Sequence, residues 1–172
     1  EGGIVEQGEA AFPTHVKIAP GKKPVDTLLV NGCECEPYLT ADDLLMRDIP
    51  DTVISGSLLS QFAMGIKEII IGIEENKPEA IESIRKAAAD TDIKIAVLKT
   101  KYPQGSEKHL IKAVLNRVVP MGGLPADVGV AVSNVTTMTA VARAVIRKMP
   151  LTHRVVCVTG GGIVQPKNLL VP

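Results

Sequence analysis

Three short apolar runs limit this chain to few folds. They are "VDTLLVN" (25–31), "KEIIIGI" (67–73) and "IKIAVLK" (93–99), and none shows the apolar–polar alternation of a half-exposed strand. Such runs predict strands buried on both faces, which belong to parallel sheets covered by helices. "VGVAVSNV" (128–135) is a fourth, weaker strand pattern. Helical patterns fill the intervals, and strands alternating with helices imply right-handed crossovers. The expected class is therefore α/β: Rossmann-like, with a mainly parallel sheet and covering helices. Its core has to be aliphatic, because aromatic residues make up only 2% of the 172 and Trp is absent.

The helices have their own signals. Asp51 suits an N-cap, Val53, Ile54, Leu58, Phe62 and Ala63 then share a face, and Gly65 suits the end. Pro78 fits a first helical turn, with Glu79 near the start and Arg85 and Lys86 near the end, as the macrodipole favours. Ile81, Ile84 and Ala88 make its apolar stripe. Ser106 is placed to cap a third helix, with Leu110, Ile111, Val114 and Leu115 inward. Thr136 or Thr137 opens a fourth, with Met138, Val141, Ala142, Val145 and Ile146 inward. The stretch 117–129 is a Gly/Pro-rich loop. Pro150 breaks the pattern. The residues after it read as strand, glycine turn and strand, the first hairpin of an all-β module. The expected division is 1–150 and 151–172, the second part incomplete.

Charge and cysteine content exclude some functions. Lys+Arg and Asp+Glu both number 19, and no basic stripe or aromatic platform points to nucleic acid. No apolar stretch reaches the roughly 18 residues of a membrane-spanning helix. The 3 cysteines are an odd count, and Cys33 and Cys35 are awkwardly spaced for a disulfide, so a reducing cytoplasmic compartment is expected. The abrupt start "EGGIVEQG" and the uncapped end "LLVP" suggest a piece of a longer chain.

Chemistry concentrates in loops that come after strands, where open α/β sheets bind ligands. "NGCECEPYLT" (31–40) succeeds the first strand. In an extended chain Cys33 and Cys35 face one way and Glu34 and Glu36 the other. The pattern admits a metal site, a redox pair or the rim of a cofactor pocket. With His15 as the other nearby ligand type, the zinc signal is weak. "TKYPQGSEKHL" (100–110) places Gly105 and Ser106 where a strand gives way to a helix, offering free backbone N–H groups. "SNVTTMT" (133–139) repeats that arrangement. "TGGGIVQP" is not a dinucleotide fingerprint, because Pro166 interrupts the helix that would have to come next. His109 and His153 are lone histidines, structural or exposed. Tyr38 and Tyr102 each stand in a candidate ligand loop. The loops 31–40, 100–107 and 133–137 are expected to form one pocket.

The order of the motifs "AAFPTHVKI", "VNGCECEPYLTADDLLM", "IGIEENKPEAI", "TKYPQGSEKHLI", "GGLPADVGVAVSNVTT" and "PLTHRVVCVTGGGI" resembles the C subunit of the Rnf ferredoxin:NAD oxidoreductase complexes, the RnfC family. More distantly the chain is similar to the flavin-bearing subunit of respiratory complex I. The resemblance implies an FMN-binding domain that takes hydride from NADH and passes electrons to iron–sulfur clusters located outside this stretch. Lys17 would approach the flavin phosphate, and Gly8 would lie in the phosphate loop. Asn31, Cys33 and Glu34 would lie along the isoalloxazine and ribityl chain, with Glu36 placing the nicotinamide nucleotide. Tyr102, Gly105 and Glu107 would line the opposite wall. Asn134 and Thr137 would add phosphate or ribityl contacts, and Phe12 a stacking face. No catalytic side chain and no metal ligand is assigned. The cysteine–glutamate alternation then reads as pocket wall. The implied partners are NAD(H) and other electron-transfer subunits or a partner reductase. The implied location is cytoplasmic, any attachment to the inner face of the membrane being peripheral and through partners.

The first loop departs from the family form, approximately Gly-x-Gly-Gly-Ala-x-Phe-Pro-Thr. Glu6 and Glu9 stand where glycines are expected. Their bulk and charge oppose a phosphate, so weak FMN binding is expected of the chain as it stands. The alternative is a docking module of the same fold that has lost its flavin.

Overall fold

A computed structural model describes residues 2–7, 11–19 and 24–172. The anticipated strands form β1 (Thr27–Gly32), β2 (Glu68–Glu74), β3 (Lys94–Leu98) and β4 (Val130–Asn134). They make one four-stranded sheet in the order β3-β2-β1-β4, with every pairing parallel. Side chains alternate between its faces. Leu28 and Val30 join Ile69, Ile71 and Ile73 under one helical layer. Leu29 joins Ile70, Val130 and Val132 under the other. The first layer contains α2 (Ala41–Asp48), α3 (Pro50–Met64), α4 (Pro78–Ala87) and α6 (Val135–Arg147), and the second is mainly α5 (Glu107–Leu115). A short α1 (Thr14–Ile18) precedes the sheet. The central strands are buried on both faces, as their patterns require. β3 is not: as an edge strand it is half-exposed, and Val97 is 41% accessible.

The helices correct several expectations. α2 had no anticipated counterpart. α3 begins at Pro50, with Ile49 rather than Asp51 in the cap position. Its buried residues are Val53, Ile54, Gly56, Ser57 and Ser60, while Leu58, Phe62 and Ala63 are exposed. The cause is close approach to α6. A Cβ on Gly56 would lie 1.8 Å from the Met138 carbonyl oxygen. Two backbones that near leave room only for small side chains, so the packed face of α3 is its small-residue face. Gly65 does end α3, with φ 66° in the left-handed region. α6 is capped by Asn134, whose side-chain oxygen accepts the Thr136 N–H, rather than by Thr136 or Thr137. Its last turn runs past the core, leaving Val145 and Ile146 exposed. Ser106 holds the cap position of α5 without a side-chain cap bond.

Residues 154–171 form a separate antiparallel hairpin, β5 (Arg154–Val158) with β6 (Lys167–Val171). It does not enter the parallel sheet. Asn168 Nδ2 donates to Thr40 Oγ1 at 3.0 Å and Leu151 N–H to the Gly2 carbonyl at 3.0 Å, which holds the hairpin beside α2. Among the described residues no helix is long and apolar enough to cross a membrane.

Candidate functional site

The C-terminal ends of β1 and β4 and the N-terminus of α5 meet at one edge of the sheet. Asn31 ties two of them together. Its Oδ1 accepts the Cys33 N–H at 3.0 Å, and its Nδ2 donates to the Gly105 carbonyl at 2.8 Å. Gly105 is required there by space, since a Cβ would come within 2.4 Å of the Cys33 carbonyl oxygen. The Gly105 N–H points at Cys35 Sγ, 3.4 Å away. Cys33, Cys35 and Cys157 are free thiols. Cys33 is buried, and that burial, reinforced by Glu74 and Cys35, pushes its thiol far up. The thiol is therefore uncharged at neutral pH, an inert part of the wall.

Glu34 and Glu36 separate in function. Glu34 accepts the Asp42 N–H at 3.1 Å and the Asp43 N–H at 3.3 Å, so its carboxylate caps α2 from a distant loop. Glu36 lies beside Tyr102, and its charge pushes the phenol upward. Asp42 is the centre of a further network. Its two oxygens accept from Asn134 Nδ2 and Thr136 Oγ1, each at 2.8 Å. Burial raises the Asp42 carboxyl while those two bonds pull it back. Burial likewise raises Glu34, against the α2 amides. Asp42 was not anticipated as a site residue, and Thr136 only as part of the 133–137 loop. A signal existed: "TADD" after an extended loop marks a helix start with acids in its first turn.

A cavity of about 780 Å³ opens between these elements, within the roughly 300–1,000 Å³ of small-molecule sites. Of the residues assigned from sequence, Asn31, Cys33, Glu34, Glu36, Tyr102, Gly105, Glu107 and Asn134 line it. Gln7, Asp42, Thr136 and the hairpin segment 154–157 also line it, and the hairpin was not expected to take part. Lys17, Phe12 and Thr137 do not reach its wall. Thr137 is fully buried and its Oγ1 accepts the Gln7 N–H at 2.9 Å. Phe12 is 46% exposed. Lys17 Nζ donates to the Val132 carbonyl at 2.6 Å and lies 3.5 Å from Glu107 Oε1 and 3.9 Å from Glu6 Oε2. Gly8 and Glu9 lie outside the described residues. Glu6 departs from its expected place. It is 2% exposed and turned inward, its Oε2 accepting from Ser133 Oγ at 2.8 Å.

A parallel sheet with its loops gathered on one cavity defines an α/β ligand-binding domain. The chain belongs to the Nuo51 FMN-binding domain family, whose pattern matches residues 1–143. The C subunit of the proton-translocating ferredoxin:NAD(+) oxidoreductase complex of Clostridium ljungdahlii is 49% identical over 172 residues, which cover 99% of this chain and 38% of that protein. The C subunit of the Na(+)-translocating counterpart in Acetobacterium woodii is 47% identical, over 97% of this chain and 38% of its own length. The C subunit of the ion-translocating oxidoreductase complex of Vibrio cholerae O395 is 45% identical, over 98% of this chain and 22% of its own length. The resemblance read from the motifs is thus shown, and the chain spans well under half of these relatives. In three dimensions it is similar to a chain of an NAD+-reducing [NiFe]-hydrogenase in the H2-reduced state, with TM-score 0.77 and 25% identity, over 99% of this chain and 35% of that one.

The residues lining the cavity are compatible with a flavin. The cavity volume, the carboxamides of Asn31 and Asn134, and the close Gly105 backbone suit a large planar polar ligand. Lys17, which the resemblance sets at the flavin phosphate, lies outside the cavity wall and is drawn to Glu6, Glu107 and the Val132 carbonyl.

Proposed function

We propose that this chain is the FMN- and NADH-binding part of an electron-transfer oxidoreductase similar to the C subunit of the ferredoxin:NAD complexes. It takes hydride from NADH, or returns it to NAD+, and relays electrons to iron–sulfur clusters carried elsewhere in a longer parent. The observation that carries this reading is the convergence of 31–36, 102–107 and 134–136 on one cavity, in a chain of an FMN-binding family. FMN, when bound, supplies a two-electron acceptor that can release electrons singly.

The chain's own residues hold and orient. Asn31 and Gly105, joined by a hydrogen bond, would hold the ring system, with Cys33 and Glu34 beside it. Glu36 would place the nicotinamide nucleotide, and Tyr102, Glu107 and Asn134 also line the cavity. Phe12, exposed before α1, remains available to stack on a base. Thr137 acts at one remove, by holding Gln7. Other subunits of an electron-transfer assembly are the expected partners, and a cytoplasmic location with peripheral attachment through them accords with this reading.

A second reading has one observation in its favour. The Glu6 carboxylate lies 3.9 Å from Lys17 Nζ, where the family resemblance puts a phosphate partner. A chain so neutralised would serve as a docking module without flavin. A visible spectrum after reconstitution with FMN separates the two. A stoichiometric flavin band that NADH bleaches, with dye reduction, supports the enzyme. A colourless protein at saturating FMN supports the docking module.

A further inference from the structure

We propose that Arg154, the first residue of β5, is the anion anchor of the cavity, its guanidinium taking a phosphate oxygen of the nucleotide that binds there. This presupposes nucleotide binding at the cavity, the reading given above, and adds the residue that receives the charged end.

The wall is unusually acidic for an anionic ligand. Glu34, Glu36, Asp42 and Glu107 all line it. FMN carries nearly two negative charges at neutral pH, as phosphomonoesters do, and a dinucleotide carries a charged diphosphate. Among the described residues lining the cavity, Arg154 is the cation. Lys17, expected at the phosphate, lies outside the wall and is directed at Val132, Glu107 and Glu6.

Arg154 is positioned for the task. Its backbone is fixed by pairing with Val171 in the hairpin ladder. Its Nη2 donates to the Gln7 carbonyl at 3.2 Å, spanning from the hairpin to the first loop. That bond uses one of the five N–H groups of a guanidinium. The planar fork suits two phosphate oxygens in a way a lysine ammonium does not. Three of the wall carboxylates have their own partners: Glu34 the α2 amides, Asp42 the Asn134 and Thr136 side chains, and Glu107 the Lys17 ammonium. The fourth, Glu36, lies against Tyr102. Phosphate binding would also clamp the hairpin over the ligand, which makes the hairpin part of the site rather than an appendage.

The test compares Arg154→Gln, Arg154→Lys and the unaltered chain. Arg85→Gln, an exposed arginine on α4 that does not line this cavity, controls for net charge. Titrations use FMN against riboflavin, and NADH against reduced nicotinamide riboside, at low salt, with circular dichroism confirming the fold. Arg154→Gln should weaken a phosphate-bearing ligand about tenfold, the usual scale for one charge-assisted bond, and leave its phosphate-free counterpart unchanged. Arg154→Lys should fall between, and Arg85→Gln should match the unaltered chain. An effect confined to FMN assigns the flavin phosphate, and one confined to NADH assigns the diphosphate. Bound ligand should also slow amide exchange across β5 in the unaltered chain and not in Arg154→Gln. Equal affinities in all variants, or equal weakening of riboflavin and FMN, would overturn the anchor while leaving the nucleotide site intact. Failure of the unaltered chain to bind either nucleotide would overturn both.

Discussion

Single residues decide how this site departs from its family. Glu6 shows how a side chain in a glycine position can be absorbed: its backbone avoids the left-handed region, and its carboxylate turns into the protein beside Ser133 and Lys17. Sequence alone sets its charge against a phosphate; the fold sets it against the lysine assigned to that phosphate. The electrostatic consequence has the same sign, since a unit charge at about 4 Å is worth about 4 kcal/mol at an effective dielectric near 20, before screening and relaxation shrink it. Glu6→Gly with Glu9→Gly should accordingly tighten FMN about tenfold, measured by flavin fluorescence at low salt; unchanged affinity would refute this role for the two glutamates. Glu74 carries a different liability. It is 1% exposed, and among the described residues neither carboxyl oxygen has a hydrogen-bond partner of good geometry. Burial pushes its carboxyl up, and the nearby Lys101 amide and Lys77 ammonium pull it only part of the way back. Between the ordinary carboxylate range and that raised value the folded chain holds more protons than the unfolded one, so stability falls as pH rises through the window. Glu74→Gln should abolish that part of the slope, raising Tm by about 2–4 °C at pH 8 and little at pH 5. Glu34 and Asp42, also raised, should keep a residual slope. Melting curves at both pH values check this, and equal gains at the two would count against it.

At the scale of elements, the sequence was legible where a pattern has one meaning. Aliphatic runs such as Leu28–Val30 in β1 and Ile69–Ile71 in β2 are satisfied by cover on both faces, and both strands lie in the middle of the sheet. The same composition at β3 gave no hint of its edge position, because position in a sheet depends on which strands pair and not on any one run. α3 misled for a related reason. Large apolar residues mark a buried face when side chains fill the gap between elements. Here the backbones of α3 and α6 approach until Gly56, Ser57 and Ser60 do the packing, and Phe62 is left 88% exposed. The loops of the site were legible because they follow parallel strands, where open α/β sheets bind ligands, whereas the contribution of Arg154 was not, since it depends on how a distant hairpin docks. Gly56→Ala should therefore cost about 3 kcal/mol or more, because a backbone carbonyl cannot rotate away as a side chain would. Phe62→Ser should change stability by no more than about 0.5 kcal/mol. Chemical denaturation of both variants decides the matter; the reverse order would mean that the large-residue face is the packed one.

For the whole molecule, the hairpin and the α/β body depend on each other unequally. Both apolar clusters of the sheet are complete by Val141, and no residue of 151–172 joins either. The hairpin instead exposes apolar side chains of its own, with Val164 at 96% and Leu170 at 67%. An isolated two-stranded hairpin is marginal in water. Its order here derives from attachments to the α/β body, among the described residues Leu151 to Gly2, Arg154 to Gln7, Cys157 to Tyr38 and Asn168 to Thr40. These attachments are few and polar, so the body should not need the hairpin, while the hairpin needs the body. The cavity needs both, because residues 154–157 close one of its sides. A chain ending at Pro150 should thus keep its helical circular dichroism and a cooperative melt within about 3 °C of the full chain, on the roughly 1 kcal/mol such surface contacts are worth. Its affinity for FMN or NADH should nevertheless drop by about tenfold, since one wall and its guanidinium are gone. Loss of cooperative unfolding in residues 1–150 would show that the hairpin is part of the folding unit. Unchanged nucleotide affinity would show that the ligand lies wholly within the α/β body.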